Sequence, residues 1–122
     1  MAHETQRTGR VSELTVERAL LSRGYEVSRP ILDEKYDLLM REPGAPSKDF
    51  KLVQVKTIRR RVDRNNEMVI YATNGRGVPY VAEDVDYIAG VEGTTVYLVE
   101  CTGLKEYWAS DEAAARKWRK FD

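Results

Sequence analysis

The segment Leu52-Val53-Gln54-Val55-Lys56-Thr57 has the apolar character of a buried β-strand, yet it carries a glutamine and a lysine two residues apart. Because a strand points alternate side chains to opposite faces, Val53 and Val55 face one way, while Gln54 and Lys56 face the other. An unpartnered polar group in a buried setting costs a few kcal/mol, and an unpaired ammonium costs more. The two polar side chains therefore need partners, and a carboxylate is the natural partner of the lysine.

The first candidate for that carboxylate is Asp37, in the upstream run Tyr36-Asp37-Leu38-Leu39-Met40. This run predicts a strand over residues 35 to 41, beside the strand that we expect over residues 50 to 57. A carboxylate, an amide and a lysine on one patch have two interpretations. They resemble a metal site with a lysine near an attacking water, or they form a buried ion pair with a hydrogen-bonded glutamine beside it.

A helix is predicted to begin near residues 10 to 12 and to end at Gly24, since glycine is a common C-terminal stop. Val16 and Leu20 lie one turn apart and form its apolar stripe. Glu13 precedes Val16 by three residues and shares this inward side, which makes it a candidate metal ligand. The alternative for Glu13 is a solvated surface carboxylate.

The order of these features resembles the PD-(D/E)xK nuclease core: an opening helix from Gly9 to Leu14, then Arg23 to Val27, then Asp37, then Gln54-Val55-Lys56. It is similar to archaeal-type Holliday-junction resolvases and to small intron-associated homing endonucleases. The homing group also carries glutamine in place of the second acidic residue, and the later stretch from Tyr80 to Ala89 resembles that group. The likeness covers roughly residues 9 to 100.

The resemblance implies a restriction-endonuclease-like α/β (α+β) core, with a central mixed β-sheet flanked by an N-terminal and a C-terminal helix. It implies Mg²⁺, with Mn²⁺ as a substitute, and no organic cofactor. The implied ligands are Asp37, Gln54, the Val55 backbone carbonyl and Glu13, because Mg²⁺ prefers oxygen. Lys56 would lie near the attacking water, which it could orient or help to deprotonate.

With 122 residues, the chain is expected to form one domain, with residues 1 to 9 loose. Its 20 basic and 20 acidic side chains cancel, so any affinity for DNA must come from local clusters. One cysteine and one histidine exclude an intrachain disulfide and a multi-cysteine zinc site. No apolar run approaches the roughly 20 residues that span a bilayer, so we expect a soluble, cytoplasmic protein without a membrane partner.

Basic residues follow the candidate catalytic strand directly, which predicts a loop over DNA phosphates, although such runs are usually solvated faces. Arginine suits phosphate because its planar fork makes two parallel contacts. The candidate DNA contacts are Arg10, Arg59, Arg60, Arg61, Arg64 and Arg76. Further strands are expected over residues 25 to 32 and 68 to 73, a hairpin over 86 to 91 and 94 to 100, and a helix from Ser110 to Trp118.

The leading hypothesis is a magnesium-dependent endonuclease that resolves Holliday junctions or other branched DNA as a homodimer, since paired nicks need two active sites. The alternative within the same class is a site-specific homing endonuclease, which Gln54 favours. A different class stays open: a non-catalytic nucleic-acid-binding module in which Asp37 and Lys56 form only a structural pair.

Overall fold

The computed structural model describes residues 3–122, which form two helices and nine strands in two sheets. The elements in chain order are α1 (Glu4–Ser22), β1 (Glu26–Ser28), β2 (Leu38–Arg41), β3 (Lys51–Thr57), β4 (Arg59–Arg61), β5 (Glu67–Tyr71), β6 (Tyr87–Glu92), β7 (Thr95–Glu100), β8 (Glu106–Ala109), α2 (Asp111–Lys117) and β9 (Arg119–Phe121). A 3₁₀ turn (Val62–Arg64) follows β4. No helix within these residues is both long and apolar enough to cross a bilayer.

The larger sheet has the strand order β1-β2-β3-β6-β7-β9, and the smaller has the order β4-β5-β8. Strands β3 and β6 are parallel, whereas the other neighbours in both sheets are antiparallel. The predicted α+β class, a central mixed sheet with a helix at each end of the chain, is confirmed. The smaller sheet was not predicted.

The larger sheet is buried on both faces. One face packs Val53 and Val55 against Val16 and Leu20 of α1, as the alternation along the strand predicted. The opposite face contributes residues such as Ile88 to a second core shared with the smaller sheet. Gln54 and Lys56, which alternate with the valines, therefore point toward the smaller sheet.

The two sheets approach closely at Gly90 on β6, directly beside Lys56 in the parallel ladder. A Cβ at this position would lie 2.5 Å from Ile70 Cδ1 and 3.1 Å from Ile58 Cγ1. Only a residue without a side chain allows this approach without a shift of the packed isoleucines. Gly90 thus sets how near the smaller sheet comes to the polar face of β3.

The opening helix begins at Glu4, six residues before the predicted start, so the prediction that residues up to 9 are loose is wrong for residues 4 to 9. Gln6 explains the early start, because its Oε1 accepts a hydrogen bond of 3.2 Å from the backbone N–H of His3. Residues 1 and 2 lie outside the described part of the chain. Gly24 follows the helix with a φ of +83°, in agreement with the predicted stop.

The first strand was predicted too long, and three short strands were not predicted. The expected first strand over 25 to 32 is only Glu26–Ser28, since Pro30 cannot donate to a ladder. The short strands β4, β8 and β9 were missed. The closing helix ends at Lys117, and Trp118 is already extended.

Candidate active site

Asp37 immediately precedes β2 and holds its carboxylate where that strand begins beside β3. Its backbone N–H donates to the Val53 carbonyl over 2.9 Å, and its Oδ2 accepts from the Val55 N–H over 2.9 Å. The N–H and C=O of one strand residue point toward the same neighbour. The Val55 carbonyl therefore faces the gap beyond the start of β2, next to the Asp37 carboxylate.

Lys56 is anchored by groups that precede and follow the turn after β5. Its Nζ donates to the Thr73 carbonyl over 3.0 Å and lies 5.3 Å from the centre of the Tyr80 ring. Gln54, one step back on the same face, is buried. Among the ion pairs of residues 3–122 there is none between Asp37 and Lys56, so the two opposite charges act on each other without direct contact.

Both charged groups have shifted pKa values. Burial raises the pKa of Asp37, the Val55 N–H partly offsets that rise, and the nearby Glu13 charge adds to it. Burial lowers the pKa of Lys56, against the opposing pull of Asp37. Burial also raises the pKa of Tyr80, and Asp37 contributes. Each group is thus displaced toward its neutral form, which is common at functional sites.

Glu13 reaches this cluster from α1, because the Ser12 hydroxyl meets the Thr57 hydroxyl at 2.8 Å and holds the helix to the end of β3. Its carboxylate also pairs with Arg10 at 3.2 Å. The structure brings together all the predicted catalytic and metal-binding positions. A cleft of about 650 Å³ is lined by Glu13, Asp37, Gln54, Val55 and Lys56.

This donor set fits a hard divalent cation. Two carboxylates, an amide oxygen and a backbone carbonyl are oxygen ligands of the kind that Mg²⁺ binds. Among the described residues, no three histidine, cysteine, aspartate or glutamate side chains are grouped so that they could hold a metal ion, and position 54 carries an amide rather than an acid. A desolvated Asp37 beside the like charge of Glu13 is a group whose ionised form a cation would stabilise.

The predicted arginine loop is wrong, because Arg59–Arg61 form strand β4 and most neighbouring guanidinium groups are occupied. Arg60 donates to Glu92 over 2.6 and 2.8 Å and to Asp111 over 2.7 Å. Arg61 donates to Asp63 and to the Tyr71 hydroxyl over 2.8 Å, and Arg64 donates to Glu106 over 3.0 Å. The positive charges of these three arginines are therefore balanced by carboxylates within the fold.

Arg59 and Arg76 are different, since both are exposed and neither forms an ion pair with any residue in the described range 3–122. Arg59 lines the cleft. Arg76 lies in a turn whose Asn74 side chain accepts from the Arg76 backbone N–H over 2.8 Å. Arg10, also a predicted DNA contact, pairs with Glu13 and Glu17.

Sequence reasoning missed the contributions of four residues to the site. Thr73 acts through its backbone carbonyl, which leaves no signal in the sequence. Ser12 and Thr57 are small polar residues 45 positions apart, so only the fold joins them. Tyr80 was noted as part of a resembling stretch, but its contact with Lys56 was not foreseen.

Comparison with solved structures gives a bacterial homing endonuclease, I-Ssp6803I, at a TM-score of 0.67. The two share 18% sequence identity, and the match covers 90% of this chain and 78% of the other, so it shows a common fold. Among curated proteins, 59 residues are 37% identical to glucose 1-dehydrogenase of Thermoplasma acidophilum. That stretch covers 47% of this chain but only 15% of the dehydrogenase, so it assigns no activity.

A comparison with protein families covers far more of the chain than the dehydrogenase stretch does. The family described as PD-(D/E)XK endonuclease matches residues 3–114, a range that contains α1, both sheets except β9, and every residue that lines the cleft. This agrees with the Asp37, Gln54 and Lys56 geometry. The protein belongs to the PD-(D/E)XK endonuclease family.

Proposed function

We propose that this protein is a magnesium-dependent endonuclease that hydrolyses phosphodiester bonds of DNA at the cleft between α1 and β3. The observation that carries the proposal is the pair Asp37 and Lys56, which share one cleft, do not contact each other, and have pKa values shifted toward neutrality by burial. A closed structural ion pair would instead stabilise both charged forms.

Asp37, Gln54, the Val55 carbonyl and Glu13 are the groups that would hold the metal ion, Mg²⁺ or Mn²⁺ as its substitute. When bound, the ion supplies charge that stabilises the phosphate and acidifies a coordinated water. Glu13 compensates for the charge that glutamine lacks at position 54.

Lys56 would orient the attacking water and accept its proton. An amine can accept a proton only when neutral, and a lowered pKa increases its neutral fraction at a given pH. The Thr73 carbonyl fixes the nitrogen by a hydrogen bond of 3.0 Å. This hydrogen bond restricts the conformations of the flexible lysine side chain, so its nitrogen is held in one position in the cleft.

The proposed target is branched DNA cut by a homodimer, as the resemblance to junction resolvases implies, with Arg59 and Arg76 as the phosphate contacts. A site-specific duplex is the second candidate. Gln54 and the fold shared with a homing endonuclease both favour that candidate.

The test is cleavage of end-labelled four-way junctions and linear duplexes, with Mg²⁺ and with chelator, by the parent and by Asp37→Asn. We expect the parent to cut only with Mg²⁺ and the variant to bind DNA without cutting it. Paired symmetric nicks in the junction would support resolution, and one cut at a fixed sequence would support homing. Parental rates from Asp37→Asn would contradict the site, while binding without any cleavage would favour the non-catalytic module.

A further inference from the structure

The outer face of the smaller sheet carries a row of residues that the proposed reaction does not use. Arg59 pairs with Val69 across β4 and β5, and Val69 pairs with Trp108 across β5 and β8. Directly opposed residues in antiparallel strands share a face. The alternate residues Met68 and Ile70 belong to the core, so this row lies on the opposite side of the smaller sheet, where Val69 is covered and Arg59 and Trp108 are exposed.

Trp108 is the exposed aromatic member of that row, with half of its surface accessible. The Arg64 guanidinium lies 5.5 Å from the centre of its ring. The indole also borders a cavity of about 230 Å³, together with Leu104, Glu106, Tyr107, Lys117 and Trp118. A large aromatic surface thus stays half open to water beside Lys117, while Arg64, which is paired with Glu106, lies against the ring.

This face begins at the rim of the catalytic cleft. Arg59 and Tyr71, which lie on it, also line the cleft. Neighbouring strands are about 4.8 Å apart, so the backbone at Trp108 lies about 10 Å from that at Arg59, two strands away. A DNA strand that enters the cleft could therefore continue across the smaller sheet.

We propose that this face binds one unpaired nucleotide of the DNA, whose base stacks on Trp108 while Lys117 contacts a flanking phosphate. The inference rests on the proposed function, and it assigns the surface to the same substrate. Stacking on an aromatic ring tolerates any base, since every base has a π face. Within a duplex both faces of a base are covered, so an unpaired base is required.

The cavity and the charges favour a nucleotide over a second protein chain. Its 230 Å³ is below the roughly 300–1,000 Å³ of pockets for drug-sized ligands, which suits a single base. Lys117 forms no ion pair with another residue of the described chain; its Nζ donates to the Trp108 carbonyl over 3.2 Å. A cation beside an exposed aromatic ring is the chemistry of single-strand binding sites.

The test is tryptophan fluorescence in the presence of chelator, titrated with a blunt duplex or with the same duplex carrying a single-stranded tail. Anisotropy of the labelled DNA measures binding in parallel. We expect emission to fall with the tailed DNA and much less with the blunt duplex. Trp108→Phe should remove most of the fall, because Trp118, which borders the same cavity, is largely covered. Trp108→Ala should weaken binding of the tailed DNA by about 5- to 100-fold.

Leu21→Ala is the matched control, since Leu21 is an apolar residue of α1 with an exposure of 57%, close to that of Trp108, and it lines neither the cleft nor this face. It should leave both emission and affinity unchanged. Binding by anisotropy without a fall in emission would overturn the stacking site and leave the nuclease proposal standing. Absence of any DNA binding would overturn both. Self-association that Trp108→Ala abolishes, with unchanged affinity for DNA, would assign the face to a second copy instead.

Discussion

The cleft and strand β4 both concentrate charge, yet the fold treats their charges in opposite ways. In the cleft, Asp37 and Lys56 do not contact each other, and burial shifts both pKa values toward neutrality. In β4, Arg60 and Arg61 remain near solvent, and hydrogen bonds to carboxylates raise their pKa values. The charged groups of the cleft thus lack a direct ion-pair partner, whereas the charges of Arg60 and Arg61 are balanced by neighbouring carboxylates.

Lys56→Met should have the largest effect. Removal of the proposed proton acceptor should slow single-turnover cleavage by about 100- to 10,000-fold while leaving DNA binding intact. Lys51→Met is the matched control on the same strand, because Lys51 pairs with Asp49 at 3.2 Å, and its pKa is raised by that hydrogen bond. Equal rates for the two variants would remove the distinction between the lysine of the cleft and the lysine paired with Asp49.

Gln54→Glu would complete three acidic groups at the cleft. The added charge should tighten Mg²⁺ binding by about tenfold, since affinity at oxygen-ligand sites follows ligand charge. Gln54→Ala should weaken it and lose most of the cleavage activity. Calorimetric titration of the parent and both variants measures this series. Equal Mg²⁺ affinity in all three proteins would show that position 54 is not a ligand.

Arg59→Ala should reduce DNA affinity by loss of a phosphate contact. The logarithm of the binding constant falls linearly with the logarithm of salt concentration, with a slope of about 0.9 per phosphate contact on duplex DNA. Arg59→Ala should flatten this slope by about one unit. Arg61→Ala should change it less, because Asp63 and Tyr71 already occupy that guanidinium. The reverse order, measured by anisotropy across a salt series, would contradict the division into free and paired arginines.

The sequence was informative where periodicity decides burial. The alternation of Val53 and Val55 with Gln54 and Lys56 placed the polar pair on the correct face. The spacing of Glu13 from Val16 placed its carboxylate in the cleft. These inferences needed only local geometry and one neighbouring strand.

Long-range partners could not be read from the sequence. Arg60 contacts Glu92 and Asp111, which lie 32 and 51 positions away, so a free basic loop was the natural interpretation. Three consecutive arginines also do not indicate a strand in the sequence, since β4 is stabilised by pairing with β5 rather than by apolar side chains. The anchor of Lys56 is a backbone carbonyl, which any residue at position 73 would supply.

Arg60→Met tests, through the stability of the fold, whether the ion pairs of β4 matter. Loss of its contacts to Glu92 and Asp111 should cost about 1 kcal/mol, because partly exposed ion pairs contribute about 0.2–1 kcal/mol each. For a chain of this size, that corresponds to a Tm lower by about 4 °C. Arg59→Met, on the same strand without an ion pair among residues 3–122, should leave Tm unchanged. Calorimetry that gives equal Tm values for both variants would show that the Arg60 network contributes no net stability.

Asp37→Asn should have the smallest effect on stability. Unlike Arg60→Met, it should make the folded protein more stable. Burial raises the pKa of Asp37 above its ordinary 3.8, so ionisation of this group destabilises the folded state. Between 3.8 and the raised value the folded protein binds more protons than the unfolded chain, so stability falls as pH rises through that window. The asparagine oxygen can still accept from the Val55 N–H without carrying a charge. Urea unfolding should therefore show the variant to be more stable than the parent at pH near 7, with a smaller difference near pH 4. A variant less stable than the parent at neutral pH would mean that the Asp37 charge stabilises the fold, as the structural-pair interpretation requires.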